Sequence, residues 1–346
     1  MRRYTVIILT YIALMSCETQ FDFEQDGQGV NQFIVNGVID NSDGPYYVSV
    51  QRTMSGVNPF PNDITTASVE IVDDVGNREM CAYQQDGIYS CHGQLVRGTS
   101  GRAYGVIVQV GDTHIVSSMD TMPLLNMPKH EISWKQGKLT ETSELGIDVQ
   151  TEVVFVTIKA ELPESEKHIY LHWLGEEIYQ FLQKQNFGSG TPPCYIISNY
   201  GGDQVRIFSN KNFKGKYVIN NALFREIDDS FLRKHLISIF QHSISHEYYQ
   251  YLEQIKILVE NIGSLFDSPA GIATGNLVSS SANAVNGFFR SVLVDTTTVA
   301  IYPSQLNGVL IRDDCTLYFT VEKCFGCPKT GKYSGFDRPK YYHSIN

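Results

Sequence analysis

The sequence predicts a mainly β protein with some α, in which an N-terminal immunoglobulin-like (Ig-like) β-sandwich precedes a larger β-rich α+β domain. Short stretches of alternating polarity, separated by turn residues, recur roughly every 8–12 residues from residue 33 onward. The 20 tyrosines and 18 phenylalanines, with only 18% charged residues, favour extracellular β architecture over a helical bundle. One segment, from Ser245 to Ile262, has helical rather than strand periodicity.

The N-terminus has the features of a bacterial lipoprotein signal. A pair of arginines precedes an apolar stretch over residues 4–15, which is too short to span a bilayer core of about 30 Å. The stretch ends in the sequence LMSC, which fits the lipobox before a lipid-modified cysteine. We therefore predict a signal peptide over residues 1–16 and acyl chains, such as palmitate, on Cys17. The alternative is an ordinary cleaved signal with an incidental cysteine.

An acidic tether is predicted over residues 17–30. This segment has four acidic residues and no basic one: Glu18, Asp22, Glu24 and Asp26. It is either a solvated spacer or a sorting signal, because acidic residues directly after the lipid-bearing cysteine resemble the surface-export signal of Bacteroidota lipoproteins. Several buried acyl chains hold a protein stably on a membrane. We expect an outer-membrane lipoprotein, exposed on the cell surface or on the periplasmic face.

The charge of the chain argues against nucleic acid as a partner. Cleavage after residue 16 removes Arg2 and Arg3 and no acidic residue, so the formal net charge changes from −10 to −12. Phosphate binding requires clustered lysine and arginine side chains, which a chain of this charge does not favour. A small molecule, a glycan or a peptide remains as a candidate ligand.

Six cysteines follow Cys17, and an even number in an oxidising compartment favours disulfide bonds. The segment CAYQQDGIYSC predicts a hairpin with a three-residue loop over 85–87, where Gly87 supplies the left-handed residue. In that register Gln84 faces Ile88, and Cys81 faces Cys91. Directly opposed residues lie about 4.5–5.5 Å apart, which suits a disulfide. We predict a Cys81–Cys91 bridge that clamps the hairpin.

The remaining cysteines are Cys194, Cys315, Cys324 and Cys327, which allow three pairings. Cys324 and Cys327 have C-x-x-C spacing, which also occurs in zinc and redox sites. The predicted compartment favours a disulfide framework, with metal as a minor alternative. A bond within the C-x-x-C pair and a bond from one of the two to Cys194 or Cys315 both remain open. A long-range bond would attach the C-terminal tail to the loop at 191–195.

The domain prediction follows from the strand pattern and one proline-containing segment. The sandwich is predicted over residues 31–122, a connector over 123–131, and the larger α+β domain over 132–346. In the larger domain the clearest element is the helix. Ser245 suits its N-cap, apolar residues recur at 3.6-residue spacing, and Gly263 ends the pattern.

No motif in the sequence indicates catalysis, and we predict no enzyme activity, cofactor or metal. His242 and His246 do not form an H-E-x-x-H motif, because the predicted break at Ser245 separates a strand from a helix. His168 and His172 are four residues apart in a predicted strand, which places them about 13 Å apart and too far to share one ion.

Several segments together resemble a lipoprotein family of Bacteroidota, domain-of-unknown-function family 4249. The features that carry the resemblance are the tyrosine-rich helix start at 248–251, the Gly275-Asn276 pair, Gly-Phe-Phe at 287–289 and the closing C-x-x-C. The resemblance covers nearly the whole mature chain. It implies no assigned activity, because the family has none.

The resemblance does imply a partner. Members of that family are typically encoded beside TonB-dependent outer-membrane receptors, so we expect a non-enzymatic accessory lipoprotein that assists ligand capture or barrel gating. This reading predicts a large apolar or aromatic surface patch. The alternative is a stand-alone cell-surface adhesin or ligand-binding protein. A hydrolase would instead need a cleft with perturbed carboxylates or histidines.

Overall fold

A computed structural model describes much of the chain between residues 32 and 335. The described residues are 32–53, 61–124, 128–143, 146–163, 168–181, 194–200, 204–260, 273–281, 284–311, 327 and 333–335. The predicted signal peptide, the tether, the lipid-bearing Cys17, and also Cys315 and Cys324, lie outside these residues. Predictions about them stay predictions.

Twenty strands and one α-helix form the described part of the chain. The first nine strands are β1 Phe33–Asp40, β2 Tyr46–Arg52, β3 Asn62–Asp63, β4 Ser68–Asp73, β5 Arg78–Gln85, β6 Ile88–Cys91, β7 Ala103–Val110, β8 Thr113–Ser117 and β9 Asp120–Thr121. The others are β10 His130–Thr142, β11 Asp148–Glu161, β12 Tyr170–Phe181, β13 Cys194–Tyr200, β14 Ile207–Ser209, β15 Tyr217–Glu226, β16 His235–Ser243, β17 Leu277–Ser279, β18 Val285–Asn286, β19 Phe289–Ile301 and β20 Tyr333–Gly335. The helix, α1, spans His246–Glu260. The predicted mainly β class with some α is therefore confirmed.

The N-terminal strands form a β-sandwich because their residues alternate between buried and partly exposed. Strand β1 buries Phe33, Val35, Gly37 and Ile39, and the residues that alternate with them are partly exposed. One sheet contains β1, β2 and β6, and the other contains β4, β7 and β8. Strand β5 pairs with β4 through its first half and with β6 through its second, which joins the two sheets at one edge. Apolar side chains from both sheets fill a shared core.

The hairpin between β5 and β6 confirms the predicted Cys81–Cys91 disulfide, with Cα atoms 4.2 Å apart. The predicted loop is wrong in one detail. Asp86 and Gly87 both have positive φ, 50° and 70°, as in a two-residue type I′ turn. Gln85, not Gln84, faces Ile88, and the extra residue forms an irregularity in β5. The bulge therefore lies within the strand instead of the turn, and the register at the cysteines is unchanged.

Removing this disulfide is expected to cost about 2–3 kcal/mol of unfolding free energy, because the bridge closes a short loop in the unfolded chain. The variant is Cys81→Ser with Cys91→Ser, measured by urea unfolding under oxidising conditions. An unchanged unfolding midpoint would show that the bridge contributes nothing to stability.

The second half of the described chain packs two sheets around another core. One contains β12, β13, β14, β16, β19 and β20, and the other is the three-stranded sheet β10–β11–β15. Trp173, Ile237 and Ile239 from the larger sheet meet Val156 and Leu223 from the three-stranded sheet. A second disulfide joins Cys194 to Cys327. This finding selects one long-range pairing for the C-x-x-C segment, and β20 pairs with β13 beside it.

Strand β19 belongs to both halves of the molecule. Its first residues, Phe289–Val292, pair in parallel with Gly37–Asp40 of β1, and Leu293–Ile301 pair antiparallel with β16. Strand β17 also pairs with β8, and β18 with β1. The predicted division into 31–122 and 132–346 assigns these three strands to the second domain, although their partners lie in the first. Parallel pairing of remote strands leaves no local sequence signal.

Two of the resemblance motifs lock β19 onto the sandwich. The Asn276 carboxamide donates to the Phe289 carbonyl at 2.9 Å and accepts from the Phe289 N–H at 2.9 Å. Gly287 has a φ of 108°, and a Cβ there would overlap the Val35 carbonyl oxygen. A Cβ on Gly275 would likewise overlap the Gly287 carbonyl oxygen. The two glycines permit the backbones to approach closely, and Asn276 satisfies the backbone N–H and carbonyl groups of Phe289 at the start of β19.

The predicted helix is confirmed at its N-terminus. The Ser245 hydroxyl accepts a hydrogen bond from the Tyr248 N–H at 3.1 Å, as an N-cap does. The described helix ends at Glu260, so the predicted stop at Gly263 lies outside the described residues. Tyr248 and Leu252 are buried against Phe288 and Val292. This packing sets α1 beside the outer face of the sandwich.

Candidate binding groove

A groove of about 540 Å³ crosses the outer face of the sandwich beside helix α1. Because β1 and β2 bury alternate residues, the residues between them line this surface. The lining residues are Asn36, Gly37, Val38, Tyr47, Ser49, Gln84, Gln85, Ile88 and Arg290. They come from five strands, four of them N-terminal and the fifth β19.

The strand register arranges most of these side chains in two adjacent rows. Val38 faces Tyr47 on one side and Arg290 on the other. In the next row Asn36 faces Ser49, which in turn faces Ile88, and Ile88 faces Gln85. With strands about 4.8 Å apart, five strands give a groove about 19 Å long. An extended or flat molecule fits such a surface.

Arg290 lies at the end of the groove where β19 meets helix α1. Its guanidinium carbon is 5.3 Å from the centre of the Tyr248 ring, and its Nε is buried without a hydrogen-bond partner. The Tyr248 ring also contacts Phe288, with centroids 5.0 Å apart. The helix therefore holds an aromatic face against a cation that opens onto the groove.

Two histidines lie buried beside this arginine. His172 on β12 faces His242 on β16 directly, with ring centroids 6.0 Å apart, and the Nδ1 atoms of both lack a hydrogen-bond partner. Burial, followed by the nearby Arg290 and Arg206 charges, lowers the pKa of His172 to about 3. Burial also lowers the pKa of His242, with a further contribution from His172. Both rings are therefore neutral at pH 7.

This pair should make the protein sensitive to acid. Since the folded-state pKa lies below the unfolded value of about 6.5, the unfolded chain binds protons first and stability falls from pH 6.5 toward pH 3. His172→Phe should reduce the loss of unfolding free energy between pH 7 and pH 5 by about 2 kcal/mol, measured by urea unfolding at both pH values. The exposed His168 provides the control, and His168→Phe should leave the loss unchanged.

Asp120, whose carboxylate contacts β19, has the opposite effect on the pH dependence of stability. Its carboxylate accepts from the Ser291 N–H at 2.6 Å. Burial raises its pKa to about 6, against the lowering effect of hydrogen bonds from Ser245 and Ser291. Between about pH 4 and pH 6 this group therefore stabilises the fold as the pH falls. Comparison of His172→Phe with the wild type removes the Asp120 contribution from the measurement.

A second buried polar cluster lies within the larger β sheet, away from the groove. Glu177 accepts hydrogen bonds from Arg225 at 2.9 Å and Ser198 at 2.7 Å, and its Oε2 lies 3.1 Å from His235 Nε2. Burial alone would raise the pKa of Glu177, but His235, Arg225 and Ser198 together lower it to about 2. The His235 ring stacks on Phe231, with centroids 4.0 Å apart.

This cluster contains the residue types of a serine hydrolase in an unsuitable order. In a catalytic triad the histidine lies between the serine and the carboxylate, so that it can accept the serine proton. Here the Glu177 carboxylate lies between Ser198 and His235. The arrangement satisfies buried charges and does not activate a nucleophile.

The histidines considered in the sequence lie in separate places. His242 is on β16 and His246 begins α1, as predicted, whereas His168 precedes β12 instead of lying within it. Among the described residues, no three His, Cys, Asp or Glu side chains are grouped to hold a metal ion. In the same residues, no helix combines the length and apolar character needed to cross a bilayer.

A family model matches this chain over residues 18–298, and its description is Domain of unknown function (DUF4249). The chain belongs to the DUF4249 family. Searches of curated proteins and of solved structures return no match. The DUF4249 match includes the sandwich, helix α1 and every residue of the groove, and it ends within β19. Cys327 and strand β20 lie beyond the matched span and contact it through β13, Cys327 by its disulfide to Cys194 and β20 by strand pairing.

Sequence reasoning did not identify the groove. Tyr47, Ser49 and Asn36 occupy outward positions of predicted strands, so their exposure follows from alternation. Arg290 is 252 residues beyond Val38 in sequence, and nothing local to either residue indicates that they are neighbours. Only the parallel pairing of β1 with β19 brings the cation to this surface.

Proposed function

We propose that this chain is a non-enzymatic accessory lipoprotein, anchored through Cys17 in the outer membrane, that captures ligand for a TonB-dependent receptor. The observation that carries the proposal is the groove on the outer face of the sandwich. Its volume, about 540 Å³, falls in the range of about 300–1,000 Å³ that is usual for small-ligand sites. The lipid anchor and the receptor partner follow from the signal sequence and the family resemblance.

The groove lining favours binding over catalysis. It combines apolar surface from Val38 and Ile88 with carboxamides from Asn36, Gln84 and Gln85. Among the described residues that line the groove there is no aspartate, glutamate, histidine or cysteine. Acid–base catalysis usually depends on those side chains, and a serine nucleophile such as Ser49 needs a base beside it to be activated.

A second surface, with exposed apolar side chains, supports the proposal of a protein partner. On the outer face of the β10–β11–β15 sheet, Tyr217, Ile219 and Phe224 are 42%, 59% and 39% exposed. Phe155 packs beside Phe224, with ring centroids 6.4 Å apart. Exposed apolar groups clustered on one face are typical of surfaces that contact another protein. We assign this face, which we call the three-stranded face, to contact with the receptor.

The test is a pull-down of the tagged full chain from its native outer membrane in mild detergent, with mass spectrometry of the proteins that accompany it. We expect a stoichiometric TonB-dependent barrel. Ile219→Asp, on the three-stranded face, should abolish its recovery. Val278→Asp, at a side chain 70% exposed on the sandwich, is the matched control and should retain it.

Recovery of the lipoprotein alone, with its lipid anchor intact, would contradict the accessory role. The stand-alone adhesin or ligand-binding protein would then be the better description. Equal recovery of the barrel with Ile219→Asp would keep the accessory role and place the contact elsewhere on the molecule.

A further inference from the structure

Arg290 is a half-buried cation that forms no ion pair among the described residues. Its neighbours in the groove are apolar or uncharged. Its Nε is buried and makes no hydrogen bond, although the guanidinium lies over the Tyr248 ring. A buried charge without a partner is costly, because solvation is lost and nothing replaces it.

The charge of Arg290 acts on the Asp120 carboxylate, but that carboxylate already accepts hydrogen bonds from other groups. Asp120 accepts the Ser291 N–H at 2.6 Å, while the Ser291 hydroxyl donates to the Asp120 carbonyl at 2.9 Å. These bonds hold the carboxylate against the backbone of β19, and among the described residues no ion pair joins it to Arg290. The guanidinium therefore remains available at the open end of the groove.

The other polar groups of the groove suit the uncharged part of a ligand. Asn36, Gln84 and Gln85 each carry a donor and an acceptor, and the Ser49 hydroxyl can act as either. Tyr47 is 48% exposed and offers one ring face. A ligand with a single anionic group at one end and amide or hydroxyl groups along its length matches this arrangement.

We propose that the groove binds small ligands that carry a carboxylate, and that Arg290 forms a paired hydrogen bond with that carboxylate. The proposal deepens the ligand-capture role and rests on it. A planar guanidinium matches a carboxylate through two parallel N–H···O bonds. A single cation neutralises a monoanion fully but leaves a phosphate dianion with unbalanced charge, so a carboxylate fits better.

The carboxylate could belong to an acidic sugar or to the C-terminus of a short peptide. Titration calorimetry on the full chain in detergent therefore uses two matched pairs of probes. One pair is an aldobiouronic acid, a disaccharide with a single uronic acid unit, and its methyl ester, and the other is tetra-alanine and its C-terminal amide. We expect one acid to bind at least tenfold more tightly than its neutral partner, because charge-assisted hydrogen bonds contribute strongly to binding. The acid that binds identifies the source of the carboxylate.

Variants then test the role of Arg290. Arg290→Gln should weaken binding of the acid about tenfold to hundredfold and leave the affinity for the neutral partner unchanged. Arg52→Gln is the matched control, because Arg52 also lies over an aromatic ring, 4.3 Å from the Phe33 centroid, and has a buried Nε without a partner. Arg52 does not line the groove, so its variant should bind as the wild type does. Thermal unfolding of both variants verifies that they are folded.

Equal affinity for acid and neutral probes, an unaffected Arg290→Gln variant, or no binding of either acid at millimolar concentration would each overturn the proposal. The receptor pull-down separates this failure from failure of the accessory role. If Arg290→Gln and the wild type both recover the barrel while no acid binds, the accessory role stands and the ligand inference falls.

Discussion

Replacement of Glu177 with alanine is expected to lower the free energy of unfolding by about 3–5 kcal/mol. Glu177 is buried and is the shared partner of Arg225, His235 and Ser198. Its removal leaves the buried His235 imidazole without this acceptor and leaves the Arg225 guanidinium with Asp228 as its remaining carboxylate partner. The cost of burying these groups is then no longer offset. Urea unfolding at pH 7 measures the change.

The pH dependence of the Glu177 effect has a definite sign. Its pKa of about 2 in the folded chain lies below the unfolded value, so its contribution is complete above about pH 4.5 and is lost as the pH falls toward 2. Glu70→Ala is the control, since Glu70 pairs with an exposed arginine at 3.6 Å. That change should cost less than about 1 kcal/mol. Similar costs for the two variants would contradict a special role of the buried cluster.

Gly287→Ala is expected to destabilise the chain by about 3–5 kcal/mol. The φ of 108° is unfavourable for a residue with a Cβ, and the added carbon would overlap the Val35 carbonyl oxygen of β1. Since that oxygen belongs to the backbone, β1 and β19 must separate to admit it. The measurement is the urea midpoint at pH 7.

Gly76→Ala separates the cost of the positive φ from the cost of the overlap with the Val35 carbonyl oxygen. Gly76 has a similar φ of 94°, but no atom lies within 4 Å of the position of an added Cβ. Its variant should therefore show only the conformational cost, about 1–2 kcal/mol. Equal effects at the two glycines would show that the contact with Val35 is not limiting.

Local elements of this fold could be predicted from the sequence. The Cys81–Cys91 hairpin follows from strand alternation and the Asp-Gly turn, and helix α1 follows from apolar spacing and the Ser245 cap. The turn geometry could not be settled, because a bulge in the turn and a bulge at Gln84 leave the same cysteines opposed. Alternation defines which face a residue occupies but not where a strand takes up its extra residue.

Long-range features required the structure. The His172–His242 pair joins residues 70 positions apart, and Arg290 reaches the groove through a strand that pairs with β1. Cys194 had three candidate partners, and the fold selects Cys327. In each case neither segment carries a local sequence signal, and the two form a feature only because the fold brings them together. The Gly287 and Asn276 motifs are visible in the sequence, but only the structure shows that Gly287 lets the chain approach β1 and that Asn276 binds the start of β19.

Because β19 pairs with both β1 and β16, the order in which the strands are synthesised affects folding. The ribosome makes β1 first, yet its parallel partner is completed about 250 residues later, at Phe289–Val292. Closing so long a loop carries a large entropic cost, and contacts distant in sequence slow folding. Until β19 arrives, one edge of β1 presents unpaired backbone groups that invite pairing with other chains. The chain therefore needs protection from aggregation until β19, the last long strand among the described residues, has been made and has paired with β1.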